Sequence, residues 1–184
     1  MERLIAFVIG ILVALHLIDR GGGGVGTPIR RAKFHLQKGK HKPLNDKFLD
    51  LRKKRLKDVS HLEERTGLNE LILSFNKLVD ISPLSSLRNL KRLYLDQNRI
   101  EDLSPLGKLS ELELLNLSDN KIKSLKPLCC LGKLENLDLT NNEITDISPL
   151  YGLTNLRILK LRGNEISDAQ IEEFKSILRK CQLY

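Results

Sequence analysis

Residues 134–155, which read LENLDLTNNEITDISPLYGLTN, are one copy of a 22-residue pattern that occurs five times in tandem. Each copy has leucine at positions 1, 4 and 6, asparagine at position 9, and Leu or Ile at position 11. The copies begin at Leu68, Leu90, Leu112, Leu134 and Leu156, and their asparagines are Asn76, Asn98, Asn120, Asn142 and Asn164. A period this strict predicts a solenoid in which each unit buries its apolar face against its neighbours.

The chemistry of one copy predicts its local structure. Leucines at positions 4 and 6 are separated by one residue, and this alternation indicates a short parallel strand with both leucines pointing inward. The asparagine at position 9 carries a donor and an acceptor, so we expect it to bond backbone groups of neighbouring turns. The return path contains Ser82-Pro83, Ser104-Pro105 and Ser148-Pro149, where serine is the expected N-cap of a short helical turn. Lys126 replaces this serine in the third copy, which predicts a weaker cap.

The pattern resembles the leucine-rich repeat family. Its 22-residue form with the D-I-S-P-L motif, found at residues 80–84 and 146–150, is similar to internalins and to the regulatory subunit of protein phosphatase-1. The resemblance implies an α/β solenoid, a right-handed horseshoe with a parallel concave sheet of about six strands. Short helices or 3₁₀ turns would lie on its convex side, and a capping helix would close its C-terminal end. The resemblance names no ligand, because this fold supports many binding functions.

We expect the repeat domain to cover residues 46–184. Residues 46–67 keep the register of the repeats, but Asp46, Lys54 and Arg65 replace the first leucine, the asparagine and the last leucine. Loss of apolar columns on one side predicts a degenerate N-terminal capping repeat. Residues 68–166 contain the regular repeats. In residues 167–184, a capping box from Ser167 and an apolar stripe ending at Cys181 predict a capping helix.

The N-terminal residues 1–20 contain an apolar run that starts at Leu4 and ends at Ile18. A helix of this run would be about 22 Å long, which is short for a bilayer span and suits a signal peptide core. The alternative, which we favour, is a short uncleaved anchor, because the basic residues that follow would hold the repeat domain in the cytoplasm. Cleavage would instead make the protein secreted or periplasmic.

Residues 21–45 are expected to form a linker, with a glycine run at residues 21–26 followed by a basic segment at residues 28–43. The charge of +8 is concentrated there and in the degenerate repeat: residues 28–65 contain thirteen Lys and Arg against five Asp and Glu. Residues 66–184 contain sixteen of each sign. The basic linker is therefore a candidate contact for anionic lipid. Nucleic acid is an unfavoured partner, because aromatic residues are few and the repeats are neutral.

No residue pattern in the sequence indicates an enzyme, a cofactor or a metal. The glycine run lacks the strand and helix that flank a phosphate-binding loop. Asp58, Asp80, Asp102, Asp146 and Asp168 recur at position 13, where they are expected to end the turn rather than bind calcium. Cys129, Cys130 and Cys181 form no disulfide framework and are interpreted as small apolar residues of the return turn and the terminal helix.

The candidate site is the concave face, formed by positions 3, 5 and 7 of each repeat, which point away from the buried leucines. Here the repeat leaves the residue type free, so these columns are available for recognition of a protein partner. Ile72, Tyr94 and Leu114 are expected to form an apolar centre with a charged rim, as in protein-binding hot spots. The predicted contact residues are Glu70, Ile72, Arg92, Tyr94, Asp96, Leu114, Asn116, Asn136, Asp138, Ile158, Lys160 and Arg162.

The sequence thus predicts a membrane-tethered module that binds a protein on its concave face. One alternative is a structural subunit of a larger membrane-associated assembly. Another is a secreted, internalin-like binding protein released by signal peptide cleavage.

Overall fold

The computed structural model describes residues 47–184, which form an open sheet of seven parallel strands in chain order. The first six strands follow one another at the repeat period and are separated by 3₁₀ turns. The strands are β1 (Phe48–Asp50), β2 (Glu70–Ile72), β3 (Arg92–Tyr94), β4 (Leu114–Asn116), β5 (Asn136–Asp138), β6 (Ile158–Lys160) and β7 (Gln182–Leu183). The 3₁₀ turns are Ser60–Leu62, Ser82–Ser86, Ser104–Lys108, Lys126–Leu128 and Ser148–Leu150, and one helix, α1, spans Asp168–Ile177.

The register of the sheet follows the repeat. Leu49 pairs with Leu71, Leu71 with Leu93, and Leu93 with Leu115, so each strand lies beside the equivalent strand of the next unit. The leucine columns at positions 1, 4 and 6 are buried in all five copies. Because these columns stack, each unit is covered by its two neighbours, and the predicted solenoid architecture is confirmed.

The asparagine column forms the predicted ladder. In a central unit, Asn98 Oδ1 accepts the backbone amide of Leu78 at 3.0 Å, and Asn98 Nδ2 donates to the carbonyls of Leu73 and Leu95. Asn76, Asn120 and Asn142 repeat this pattern, and all four are at most 9% exposed. One side chain per unit therefore joins the end of a strand to the preceding turn.

The return turns are not capped by serine, contrary to the prediction. The aspartate at position 13 accepts the amide two residues later: Asp80 accepts Ser82 N at 2.8 Å, Asp102 accepts Ser104 N at 2.8 Å, and Asp146 accepts Ser148 N at 2.9 Å. Ser82 and Ser104 also donate their hydroxyls to the same carboxylates. The serine is already the first residue of the turn, and the N-cap positions are Ile81 and Leu103. The aspartate, one residue before the N-cap position, therefore caps the turn by accepting the serine amide.

The C-terminal end differs from the single long helix that the apolar stripe predicted. Ser167 Oγ accepts Gln170 N at 3.4 Å, so the predicted N-cap is present, and Phe174 is fully buried. However, α1 ends at Ile177 and the chain turns back so that β7 pairs with β6. Cys181 therefore precedes a strand and does not extend the helical stripe. The last residues form hydrogen bonds along the open edge of β6 instead of continuing the helix. This strand pairing could not be predicted from the repeat pattern, because these residues lie outside the repeats.

The cysteines also differ from their interpretation as small apolar residues. Cys129 and Cys130 are exposed on the return turn of the third copy, and Cys181 is half-exposed. No disulfide joins the three thiols.

The predicted apolar anchor and the basic linker lie outside the described residues. Within residues 47–184, no helix is both long enough and apolar enough to cross a membrane.

Candidate functional site

The concave surface is formed by side chains that alternate with the buried leucines of the strands. Around Leu93 and Leu95, for example, Arg92 is exposed, whereas Tyr94 and Asp96 are half-buried. Because the strands pair in register, positions 3, 5 and 7 each form a straight column across the sheet. The backbone thus presents these side chains in rows about 4.8 Å apart.

A groove of about 350 Å³ lies on the concave surface between β3 and β6. We call it the concave groove, and its exposed or half-buried lining residues are Tyr94, Leu114, Asn116, Asn136, Asp138, Ile158 and Lys160. Seven of the twelve predicted contact residues are therefore together. Glu70, Ile72, Arg92, Asp96 and Arg162 do not line the concave groove.

The apolar centre lies further toward the C-terminus than the sequence predicted. Ile72 is only 8% exposed, so it is not available as an exposed contact. It pairs with Asp50 on one side and Tyr94 on the other, and side chains this close on both neighbouring strands cover a branched residue between them. The apolar side chains that remain accessible in the concave groove are Tyr94, Leu114 and Ile158.

The charges of the concave face are largely paired across strands. Arg92 donates to Glu70 Oε2 through Nε at 2.9 Å and Nη2 at 2.8 Å, and this hydrogen bond raises the pKa of Arg92. Lys160 Nζ lies 3.0 Å from Asp138 Oδ2. Both pairs connect equivalent positions of adjacent repeats. They leave the face locally neutral.

Asp96 is held by neutral donors rather than by a cation. Its Oδ1 accepts the hydroxyl of Ser74 at 2.6 Å and the amide Nδ2 of Asn116 at 3.3 Å. Ser74 is only 6% exposed, so Asp96 is fixed at the edge of the sheet by a buried partner. Arg162, at the C-terminal end, is exposed and has no ion pair within residues 47–184.

No group of three or more His, Cys, Asp or Glu side chains that could hold a metal ion lies within residues 47–184. Four aspartates of position 13, Asp58, Asp80, Asp102 and Asp146, instead accept hydrogen bonds from the serine two residues later, and Asp168 is the first residue of α1. Their hydrogen bonds from the serine hydroxyl and amide lower the pKa of Asp80, Asp102 and Asp146.

The turn that follows each strand has a recurring backbone conformation that the repeat pattern of leucines and asparagines does not predict. Position 8 adopts a left-handed backbone in every unit, at Lys53, Phe75, Gln97, Asp119, Asn141 and Gly163. Asn, Asp and Gly tolerate this conformation and recur there, and this recurrence was the available signal. An added Cβ at Gly163 would collide with Asn141 Oδ1, so glycine is required in that unit.

Comparison with protein families gives matches to a model described as leucine-rich repeats in two copies. The matched residues are 66–108, 110–152 and 132–176. Comparison with curated protein sequences gives no match.

Solved structures include similar solenoids. Internalin C2 of Listeria monocytogenes is 36% identical, with a TM-score of 0.64 over 73% of this chain and 60% of that one. A leucine-rich repeat protein of Leptospira interrogans is 31% identical, with a TM-score of 0.70 over 75% of this chain and 36% of that one. The internalin InlF of Listeria monocytogenes is 28% identical, with a TM-score of 0.59 over 74% of this chain and 46% of that one. This chain therefore spans less than two thirds of the length of each of these proteins.

Proposed function

Because the chain belongs to the leucine-rich repeat family, we propose that it is a non-enzymatic module that binds a protein partner in its concave groove. Solenoids of this kind provide extended concave surfaces on a rigid backbone. The repeat constrains the leucines and asparagines and leaves the concave columns free to vary, so recognition is the role that this surface serves best.

The observation that carries the proposal is the composition of the concave groove. Tyr94, Leu114 and Ile158 provide accessible apolar surface, and the Asp138–Lys160 ion pair lies beside it. An aromatic anchor surrounded by polar groups is typical of the energetic centre of a protein interface. A partner segment that covers this centre would exclude water from Tyr94 while the ion pair and the two asparagines bond its polar groups.

Tyr94→Ala tests the groove directly. The variant should weaken a captured partner by about 2 kcal/mol or more, as loss of a central aromatic anchor does. Its thermal stability should change little, because Tyr94 points away from the leucine core. The partner is first isolated with the unaltered full chain. Its affinity for each variant is then measured by titration.

Two further variants make this test specific. Lys108→Ala on the convex side should alter neither binding nor stability. Arg162→Ala should slow association in low salt, with an effect that fades as salt is raised, because an exposed unpaired charge at the rim steers a partner more than it holds it. If Lys108→Ala abolishes binding while Tyr94→Ala leaves it intact, the partner binds on the convex side and the groove proposal is wrong.

We also propose that the apolar run between Leu4 and Ile18 tethers the module to a membrane with the repeats in the cytoplasm. The support is in the sequence alone: the run is uninterrupted by charge, and five basic residues follow it by residue 38.

A further inference from the structure

The turn side of the solenoid carries a second ordered surface, separate from the concave groove. After each regular strand, the asparagine at position 9 and the Leu or Ile at position 11 point inward. Positions 8, 10 and 12 therefore point outward. In the second unit Asn76 and Leu78 are buried, whereas Phe75, Lys77 and Val79 are exposed. Positions 9 and 11 are likewise buried in the units that begin at Leu90, Leu112 and Leu134, whereas Lys54 at position 9 of the first unit is exposed and Asn164 and Ile166 of the last unit are half-buried. Side chains at positions 8, 10 and 12 therefore form three columns along one flank.

The position-10 column is basic through four consecutive units. Its residues are Arg55, Lys77, Arg99 and Lys121, all exposed, and none of them forms an ion pair within residues 47–184. Their backbone places them in register: Lys77 N, Arg99 N and Lys121 N each donate to the carbonyl at position 11 of the preceding unit. Adjacent turns are about 5 Å apart, so these four like charges lie in one row and repel one another.

The basic flank, as we call this surface, also includes Lys53 and Lys57 beside Arg55. The acidic residues nearest in these columns are Glu101 and Asp119, and Asp119 is already bonded to Gln97 and Asn141. In the last two units position 10 changes sign to Glu143 and Glu165. The excess of positive charge is therefore confined to the first four units.

Two exposed apolar side chains lie within the basic flank. Phe75 is 47% exposed and Val79 is 57% exposed, one on each side of Lys77 in its unit. Lys53 Nζ lies 5.1 Å from the centroid of the Phe75 ring. Phe75 has a φ of +58°, which a bulky side chain rarely adopts. The turn itself favours Asn, Asp or Gly at this position, so Phe75 occurs here despite the local backbone preference.

We propose that the basic flank docks onto an anionic lipid bilayer, with its Lys and Arg side chains at the headgroups and Phe75 and Val79 in the interface. Rows of cations with interspersed apolar side chains match a surface that is negatively charged outside and apolar just beneath. A single-stranded nucleic acid would use several aromatic stacking platforms for successive bases, and Phe75 is the single aromatic side chain of the basic flank. In the sequence, residues 28–43 before the described part of the chain carry six more Lys and Arg. This inference does not depend on the concave groove.

A site-specific dye on the full chain tests the contact. Cys129, Cys130 and Cys181 are replaced by serine, and an environment-sensitive fluorophore is attached through Val79→Cys. A second protein carries the dye through Arg88→Cys on the exposed convex side. Both are mixed with vesicles of phosphatidylcholine alone and with about 30% phosphatidylserine. Insertion of residues 4–18 into the bilayer, or their loss, would affect the dye signal equally with the two lipid compositions. A difference between the compositions therefore does not come from these residues.

The dye at position 79 should shift to the blue with phosphatidylserine vesicles only, and the dye at position 88 should not shift. The double substitution Lys77→Glu and Arg99→Glu should abolish this shift. Its charge-matched control, Arg88→Glu with Lys108→Glu, should leave the shift intact. Phe75→Asn should reduce the shift without lowering the melting temperature, since Asn suits the left-handed turn.

The proposal is wrong if the position-79 dye responds equally to both lipid compositions, or if the convex charge reversal abolishes the shift as fully as the flank reversal. A shift caused by a single-stranded oligonucleotide but not by phosphatidylserine vesicles would make the flank a nucleic-acid site and likewise overturn the lipid assignment.

Discussion

Asn120 illustrates how one residue holds a unit of the solenoid together. Its Oδ1 accepts Ile100 N at 3.0 Å, and its Nδ2 donates to the carbonyls of Leu95 and Leu117, both at 3.0 Å. These groups belong to two successive units and are buried, so no water replaces the side chain when it is removed. The ladder therefore couples each unit to the one before it.

Asn120→Ala should lower the free energy of unfolding by roughly 1–3 kcal/mol, because it leaves a buried amide and two carbonyls without partners. Urea titration of the full chain measures the loss. Thr145→Ala, at an exposed position of the next unit, is the matched control and should be nearly neutral. An equal effect from the two substitutions would mean that the ladder contributes nothing beyond side-chain contacts.

At the scale of the element, the return turns are stabilised by carboxylate caps. Asp80, Asp102 and Asp146 each accept an amide and lie before a Ser-Pro turn, and hydrogen bonds from the serine lower their pKa. A lowered pKa means that the folded state binds the proton less readily than the unfolded chain. The stabilisation is therefore present above the ordinary value of 3.8 and is lost as pH falls through the folded pKa.

The third copy has Ser124 where the other turns have this aspartate, so Ser124→Asp should supply a missing cap. We expect a gain of about 0.5–1 kcal/mol at neutral pH. Thermal melts should show the gain shrinking as pH falls below 3.8, with the same sign as for the native aspartates. Thr154→Asp adds an exposed carboxylate at a position where it cannot cap a turn, and it should give no gain in stability. A gain that persists at low pH would exclude the carboxylate as its cause.

The C-terminal helix is anchored by one aromatic side chain. Phe174 is fully buried and its ring centroid lies 6.3 Å from that of Tyr151, whose hydroxyl donates to Glu173. The helix thus covers the last repeat through Phe174 and through contacts with the preceding return turn. The rest of α1 is mostly exposed.

Phe174→Ala should cost about 3–5 kcal/mol, as deletion of a buried aromatic ring does. The loss should appear in denaturant titration, with amide exchange rising first in α1 and β7. Ile177→Ala, at a site that is 46% exposed, provides the comparison and should cost far less. Equal losses at the two positions would show that α1 is not docked through Phe174.

At the scale of the whole molecule, charge is distributed by sequence region and by face. The concave face pairs Arg92 with Glu70 and Lys160 with Asp138, whereas the four cations of the position-10 column form no ion pair within residues 47–184. The proposed tether and the proposed lipid contact both lie toward the N-terminal end of the sequence. Partner binding is assigned to strands β3–β6, further along the chain.

Intact-mass analysis of the protein from a native-like host tests the tether. We predict that the membrane fraction contains a protein that retains residues 4–18, because the favoured interpretation of this run is an uncleaved anchor. A mature protein that begins near Val25 would contradict the anchor and support a secreted or periplasmic product.

The sequence by itself determined the repeat length, the buried leucine columns, the parallel strands and the asparagine ladder. Each of these depends on contacts between residues about 22 positions apart, and a strict period specifies such contacts directly. The outward direction of positions 3, 5 and 7 followed for the same reason, and seven of the twelve predicted site residues do line one groove.

Only the tertiary structure decided the features that the period does not specify. Ser82 was predicted as the N-cap but is the first residue of the turn, a difference of one position within the unit, and Asp80 accepts its amide instead. Ile72 is buried by its particular neighbours rather than by its column. The end of α1 and the pairing of β7 depend on docking of a non-repeating segment against the last strand. These outcomes are set by three-dimensional packing of individual side chains, because a period describes what the units share and not how one unit differs from the next.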